Sequence, residues 1–240
     1  MDLSRIMSIS TRFPVFLIVL IAALVVSAVT TGCSGTQPVT DTNERRGEMS
    51  EREALFWAKR DSSRMNYTEA DVEFMNNMIG HHAQALVMSR LAPENEAGRS
   101  VQVLASRIIN AQQDEIETMQ NWLRDRGRRA PQVHIDGLNL RISGGGHAHT
   151  RRGQDLNMPG MLTQEQLEEL ARARGRDFDR TYLTLMIEHH KGAVVMVQQL
   201  FSSDGAAVDI DVFRLASEIN AEQVTEIERM KLMLESMGNP

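Results

Sequence analysis

The stretch Asp71-Val-Glu-Phe-Met-Asn-Asn-Met-Ile-Gly-His-His-Ala-Gln-Ala-Leu-Val-Met88 aligns without a gap on Asp179-Arg-Thr-Tyr-Leu-Thr-Leu-Met-Ile-Glu-His-His-Lys-Gly-Ala-Val-Val-Met196. The offset is 108 throughout, so Met78, Ile79, His81, His82 and Met88 fall on Met186, Ile187, His189, His190 and Met196. A second block follows at an offset of 111, setting Leu104-Ala105-Ser106 on Leu215-Ala216-Ser217 and Gln112 on Gln223. In the same block Glu115-Ile116-Glu117 falls on Glu226-Ile227-Glu228, and Met119, Leu123 and Gly127 fall on Met230, Leu234 and Gly238. The change of offset fits one loop being longer than the other, and the whole agreement marks a duplicated unit.

Each copy reads as two helices, because apolar residues recur at three- and four-residue intervals. This periodicity predicts helices over 68–91 and 98–126 in the first copy and over 177–201 and 209–237 in the second. Pro93 closes the first helix, and Gly127 and Gly238 end the second and fourth. Two hairpins that each expose one apolar stripe pair most simply as a four-helix bundle. The expected fold is therefore all-α, with short extra helices at 50–64, opened by a Ser50/Glu53 capping box, and at 165–174, opened by Thr163/Gln166. The duplicated domain spans 50–240, with repeat one at 68–127, a linker at 128–176 and repeat two at 177–238. Within that linker, residues 128–160 lack helical periodicity and carry Pro131, Gly144-Gly145-Gly146, His147, His149 and Met158-Pro159-Gly160-Met161. They read as a connecting segment.

Ahead of the domain, Arg5 and Arg12 precede an apolar run from Phe13 to Val29, followed by Thr30-Thr31-Gly32-Cys33-Ser34-Gly35. This order reads as an export signal over 1–32 and a lipobox whose Cys33 is lipidated, with Thr30 standing where Leu is usual. The alternative is an uncleaved signal anchor, for which the run is near the short end of the ~17–25 residues that span a bilayer. Either way the expected location is the cell envelope outside the cytoplasm, with the membrane as a partner through an N-terminal lipid or anchor. Residues 33–49, polar and rich in Thr and mixed charge, read as a flexible tether.

The 240-residue composition, 42% hydrophobic and 24% charged, excludes general disorder. A net charge of -6, without a basic stripe interleaved with aromatics, speaks against nucleic acid as a partner. The residues give no protein partner. They also show no Ser-His-Asp or Cys-His nucleophile arrangement and no phosphate-binding Gly loop, so no catalytic residue is assigned. Cys33 is the only Cys and Met occurs 15 times, so any soft-metal chemistry falls to Met and His.

On a helix turning about 100° per residue, with Met78 at zero, His82 lies near +40°, His81 near −60° and Met88 near −80°. They share one core-facing stripe, as do Met186, His189, His190 and Met196. On the partner helices Gln112, Glu115, Ile116 and Met119 cluster on one face, matched by Gln223, Glu226, Ile227 and Met230. Thioether with imidazole suits Cu(I), and His with carboxylate admits Cu(II) or Zn(II). Copper is thus the expected cargo, and His147, His149, Met158 and Met161 form a second candidate group in the linker. A ferritin-type di-iron centre needs Glu-x-x-His, but Lys191 stands three after Glu188 and Asn76 three after Glu73. Two readings other than passive metal binding remain open. One is a structural or partner-binding bundle whose His are core residues hydrogen-bonded to Glu115 and Glu226, and the other is a metal-dependent oxidase.

Met-Ile-Gly-His-His-Ala-Gln-Ala (78–85), Met-Ile-Glu-His-His-Lys-Gly-Ala (186–193), Met-Pro-Gly-Met (158–161) and Ala-Gln-Gln-Asp-Glu-Ile-Glu-Thr-Met (111–119) resemble the bacterial domain-of-unknown-function 305 family. The resemblance covers residues 65–238. It implies an exported, ferritin-like helical bundle and copper binding in the cell envelope through the Met and His positions named above. The two copies differ where Gly80 stands against Glu188, which makes the halves unequal candidates.

Overall fold

The chain divides into Met1–Gly47 and Glu48–Pro240. The computed structural model describes residues 50–59, 62, 65–144, 151–152 and 157–238, all in the second unit. The expected export signal, Cys33 and the tether lie outside the described residues, as do His147 and His149.

Residues 50–59 form α1, which leaves Leu55, Phe56 and Trp57 exposed. The four long helices are α2 (Glu69–Arg90), α3 (Arg99–Asp125), α5 (Gly175–Phe201) and α6 (Ile210–Ser236), with the short α4 (Gln164–Arg172) before the second repeat. They match the expected spans to within two residues at each end. Among the described residues no helix is long and apolar enough to cross a membrane.

The start signal expected at Thr163/Gln166 is present, and the structure adds a second at Thr68, whereas Ser50 lies within α1. Thr68 caps α2 and Thr163 caps α4, each in a reciprocal capping box, with Asp71 and Gln166 respectively. The α3 N-terminus has no side-chain cap: Gly98 has none to offer, and its own N–H donates to the Asp179 carboxylate at 3.0 Å. The aligned residue, Asp71, accepts from the N–H of Ala207 at 2.7 Å in the opposite repeat. Each repeat's first helix therefore braces the other repeat's interhelical loop. Those loops also share a left-handed residue at aligned positions, Glu96 (φ 58°) and Ala207 (φ 54°).

α2 packs on α3, α5 packs on α6, and the two hairpins meet across α2 and α5. The buried stripe of α3 (Val101, Leu104, Ala105, Ile108, Gln112, Ile116, Met119) recurs in α6 as Val212, Leu215, Ala216, Ile219, Gln223, Ile227 and Met230. The duplication thus extends to the core. It is broken at α2, which is buried without interruption from Met78 to Ser89, whereas α5 keeps an exposed side that includes Glu188 and Lys191. The inter-repeat segment causes the difference by covering α2.

That segment corrects the reading of 128–160 as plain connection. Strands β1 (Gln132–Asp136), β2 (Asn139–Ser143) and β3 (Arg151–Arg152) form an antiparallel sheet in the order β1-β2-β3. Asp136 pairs with Asn139 across a two-residue loop opened by Gly137 at φ 55°, the place where a type II′ turn requires glycine. Leu140 and Ile142, two residues apart on β2, turn to the core, and β1 and β2 lie on α2. The signal is Asp-Gly between two short alternating runs, a period of two that helical spacing does not register.

Candidate metal centre

The two His-His pairs sit at the centre of the α2/α5 contact, and all four rings are fully buried. His81 and His189, one from each repeat, lie ring against ring with centroids 3.9 Å apart and planes tilted by 37°. Their neighbours turn outward to the partner helices: His82 Nε2 donates to Glu115 Oε2 and His190 Nε2 to Glu226 Oε2, each at 2.7 Å. Both sequence-expected His–Glu pairs therefore exist, in the same geometry in both copies. Glu222 on α6 is drawn toward this region, its carboxyl pKa raised by burial and then by the charges of Glu115 and Glu226.

Carboxylates and carbonyls only accept, so the proton of each bonded ring resides on Nε2. His81 follows the same rule, donating from Nε2 to the Pro159 carbonyl at 3.0 Å. In its neutral form each of these three rings keeps its lone pair on Nδ1, and among the described residues none of those Nδ1 atoms has a hydrogen-bond partner. His189 has no partner at either nitrogen, and the aligned amides of Gln112 and Gln223 have none either. Each such buried polar atom costs about 1–3 kcal/mol, which a purely structural core avoids.

The sequence-proposed thioethers line the same core. Met78, Met88, Met119, Met186 and Met230 are fully buried and Met196 nearly so, while Met158 and Met161 are half-buried. Among the described residues no three of His, Cys, Asp and Glu converge as a metal cage. Any coordination in this layer therefore draws on thioethers or on single imidazole donors. An imidazole held through one nitrogen by a carboxylate or carbonyl, with the other free, is how metal-binding His is commonly presented. The residues thus fit a soft metal.

Residues 158–162 form a strap over the site, and the sequence reading missed the groups that seat it. Gln84 grips the strap through both ends of its amide: Nε2 donates to the Leu162 carbonyl at 3.0 Å, and Oε1 accepts from the Leu162 N–H at 2.7 Å. The aligned residue in the second copy is Gly192, where a Cβ would stand 2.0 Å from the Pro159 carbonyl oxygen. Gly160, at φ 76°, lies against the backbone of Glu188, His189 and Gly192. One strap thus meets both repeats at equivalent positions, by a side chain in one and by the lack of one in the other. The clue was the Gln/Gly mismatch within otherwise matched motifs.

Burial, then the charge of His82, lowers the His81 pKa from 6.5 to about 3 against the opposing pull of the Pro159 carbonyl. Burial first, and then His81, holds His189 well below its ordinary value. The unfolded chain binds protons that these rings refuse, so stability rises with pH across this window. The metal-free protein is therefore expected to lose thermal stability progressively as pH falls below 6.5 toward 3. A His81→Leu/His189→Leu variant should lose less over the same range in melting curves taken at a series of pH values. Parallel curves for the two proteins would contradict burial of the rings in neutral form.

The DUF305 model, described as a domain of unknown function, matches residues 71–234. No curated protein matches the chain. Among solved structures, a DUF305 protein of Streptomyces coelicolor is 28% identical with a TM-score of 0.55, covering 70% of this chain and 94% of that one. A DUF305 fragment from Deinococcus radiodurans is 27% identical with a TM-score of 0.56, covering 71% and 98%. CopM in its Cu(II)-bound form is 25% identical with a TM-score of 0.51, covering 69% and 96%. Its silver-bound form obtained by co-crystallisation is 25% identical with a TM-score of 0.50, covering 70% and 98%. The matched segment runs from the Asp71 brace through both His-His motifs, the strap and most of α6, and the chain belongs to the DUF305 family.

Proposed function

We propose that this protein is an extracytoplasmic copper-binding protein, tethered to the membrane through a lipid on Cys33, that holds or buffers copper without catalysing a reaction. The observation that carries the reading is the set of four buried imidazoles with unpartnered Nδ1 atoms, three of them oriented through Nε2. The copper- and silver-bound forms of CopM support it from outside the chain. His81 and His189, with His82, His190, Met78, Met88 and Met186, would supply the donors, and Glu115, Glu226 and the Pro159 carbonyl would orient the rings. Met119 and Met230 are further thioethers on the facing helices. Imidazole and thioether together favour Cu(I).

A chromogenic Cu(I) chelator competing with the full chain tests this. Wild type is expected to withdraw copper, and His81→Leu/His189→Leu to hold it more weakly by more than the ~10–100-fold that losing an orienting partner costs. Bound copper should also raise the melting temperature, since it binds only the folded state. No withdrawal of copper by wild type would falsify the proposal. The His82–Glu115 and His190–Glu226 bonds favour a second reading, in which these pairs are structural. Under it, His-to-Leu changes alter melting temperature equally with and without metal.

A further inference from the structure

His81 and His189 have no exposure to solvent, so any ion that reaches them must cross a covering layer. On most sides that layer is packed helix. The exception is the strap, whose residues 158–161 are half-exposed and whose Pro159 carbonyl contacts His81 directly. At this point one residue of backbone separates solvent from an imidazole nitrogen.

A cleft of about 380 Å³ opens at that point. Its walls bring together Met158 of the strap and Met196 of α5, with Pro159, Phe74, Glu73 and Asn77 around them. The two thioethers come from groups that are 38 positions apart in the chain, one in the linker and one on the helical stripe, and only the fold joins them. Met196 lies two helical turns from His189 on the same α5 face. Thioethers bind soft monovalent ions, exchange them readily and stay unprotonated, whereas Glu73 adds negative charge at the mouth.

We infer that this cleft is the loading site, where Met158 and Met196 take up a soft monovalent metal ion and pass it beneath the strap to His81 and His189. The inference rests on the metal-binding reading of the buried layer and adds the route and its gatekeeping residues. A loading site sits on the path in both directions, so it governs rates and leaves the final affinity alone.

The test is transfer of Cu(I) between a chromogenic chelator and the full chain, followed by stopped-flow absorbance in both directions. Met-to-Leu is close to isosteric and removes only the thioether. Met158→Leu/Met196→Leu is expected to slow loading and unloading alike, by about tenfold or more, the scale seen when supporting groups around a metal are lost. Its equilibrium affinity should equal that of wild type. A matched Met75→Leu change, fully buried and outside the cleft, should alter neither rate. Unchanged rates in the double variant would overturn the loading role while leaving metal binding intact. A loss of affinity with the rates would also overturn it, by making these thioethers part of the final site. If wild type takes up no copper, the metal-binding reading fails and the loading site with it.

Discussion

Asp209→Ala is expected to cost about 3 kcal/mol of folding stability, the lower end of the scale for removing one member of a buried ion pair. The Arg126 side chain is only 2% exposed and pairs with Asp209 at 2.5 Å. Its guanidinium also lies 4.3 Å from the centre of the Trp122 ring. Removing the carboxylate takes away its close partner and leaves that cation to the more exposed Asp211 carboxylate at 3.6 Å and the Trp122 carbonyl at 3.4 Å. It also removes the α6 N-cap, where Asp209 accepts from the N–H groups of Asp211 at 2.9 Å and Val212 at 3.1 Å. The cap alone is worth about 1 kcal/mol, so the larger part of the loss belongs to the ion pair. Asp209→Asn, which keeps a capping oxygen, separates the two contributions and should fall between wild type and Asp209→Ala. Urea unfolding midpoints measure the series. A shift no larger than a lost cap for Asp209→Ala would mean that Arg126 does not depend on this carboxylate.

Gly192→Ala is expected to destabilise by about 3 kcal/mol, at the top of the usual range for overpacking. On an open helix face the same change would stabilise by up to about 1 kcal/mol, because Ala is the better helix former. Here the new methyl would stand 2.0 Å from the Pro159 carbonyl oxygen, 2.4 Å from its carbon and 2.7 Å from the Gly160 Cα. All three are backbone atoms, so no side chain can swing aside. The strap must lift, and Pro159 then leaves His81 Nε2. The expected signature combines a lower melting temperature with faster exchange of the His81 ring proton in NMR spectra. A neutral or stabilising result would show that the strap does not bear on α5.

The repeat made the four long helices readable, because two independent copies had to satisfy one pattern of apolar spacing. It also made the His–Glu pairs readable, since Glu115 and Glu226 recur at the same offset as their neighbours. Facing positions on antiparallel partner helices follow from such register. The hairpin of β1 and β2 was equally present in the sequence, in Asp136-Gly137 and the alternation around it, but a search for helical period passes over it. The strap was not readable as a seat for both repeats. Its contacts are made by backbone atoms, and a carbonyl carries no residue-type signal.

By itself, the sequence determined the long helices, the α4 capping box, the duplicated stripe and the supply of Met and His beside a single Cys. These depend on local periodicity and residue chemistry, which act within a few turns of chain. Only the tertiary structure decided that His81 meets His189, that Asp71 and Asp179 brace each other's repeats, that Arg126 is buried on Asp209, and that Met158 shares a cleft with Met196. Each of these joins residues far apart in the chain. Their meeting depends on how two amphipathic hairpins dock across α2 and α5, which packing of the whole bundle selects and no local pattern encodes.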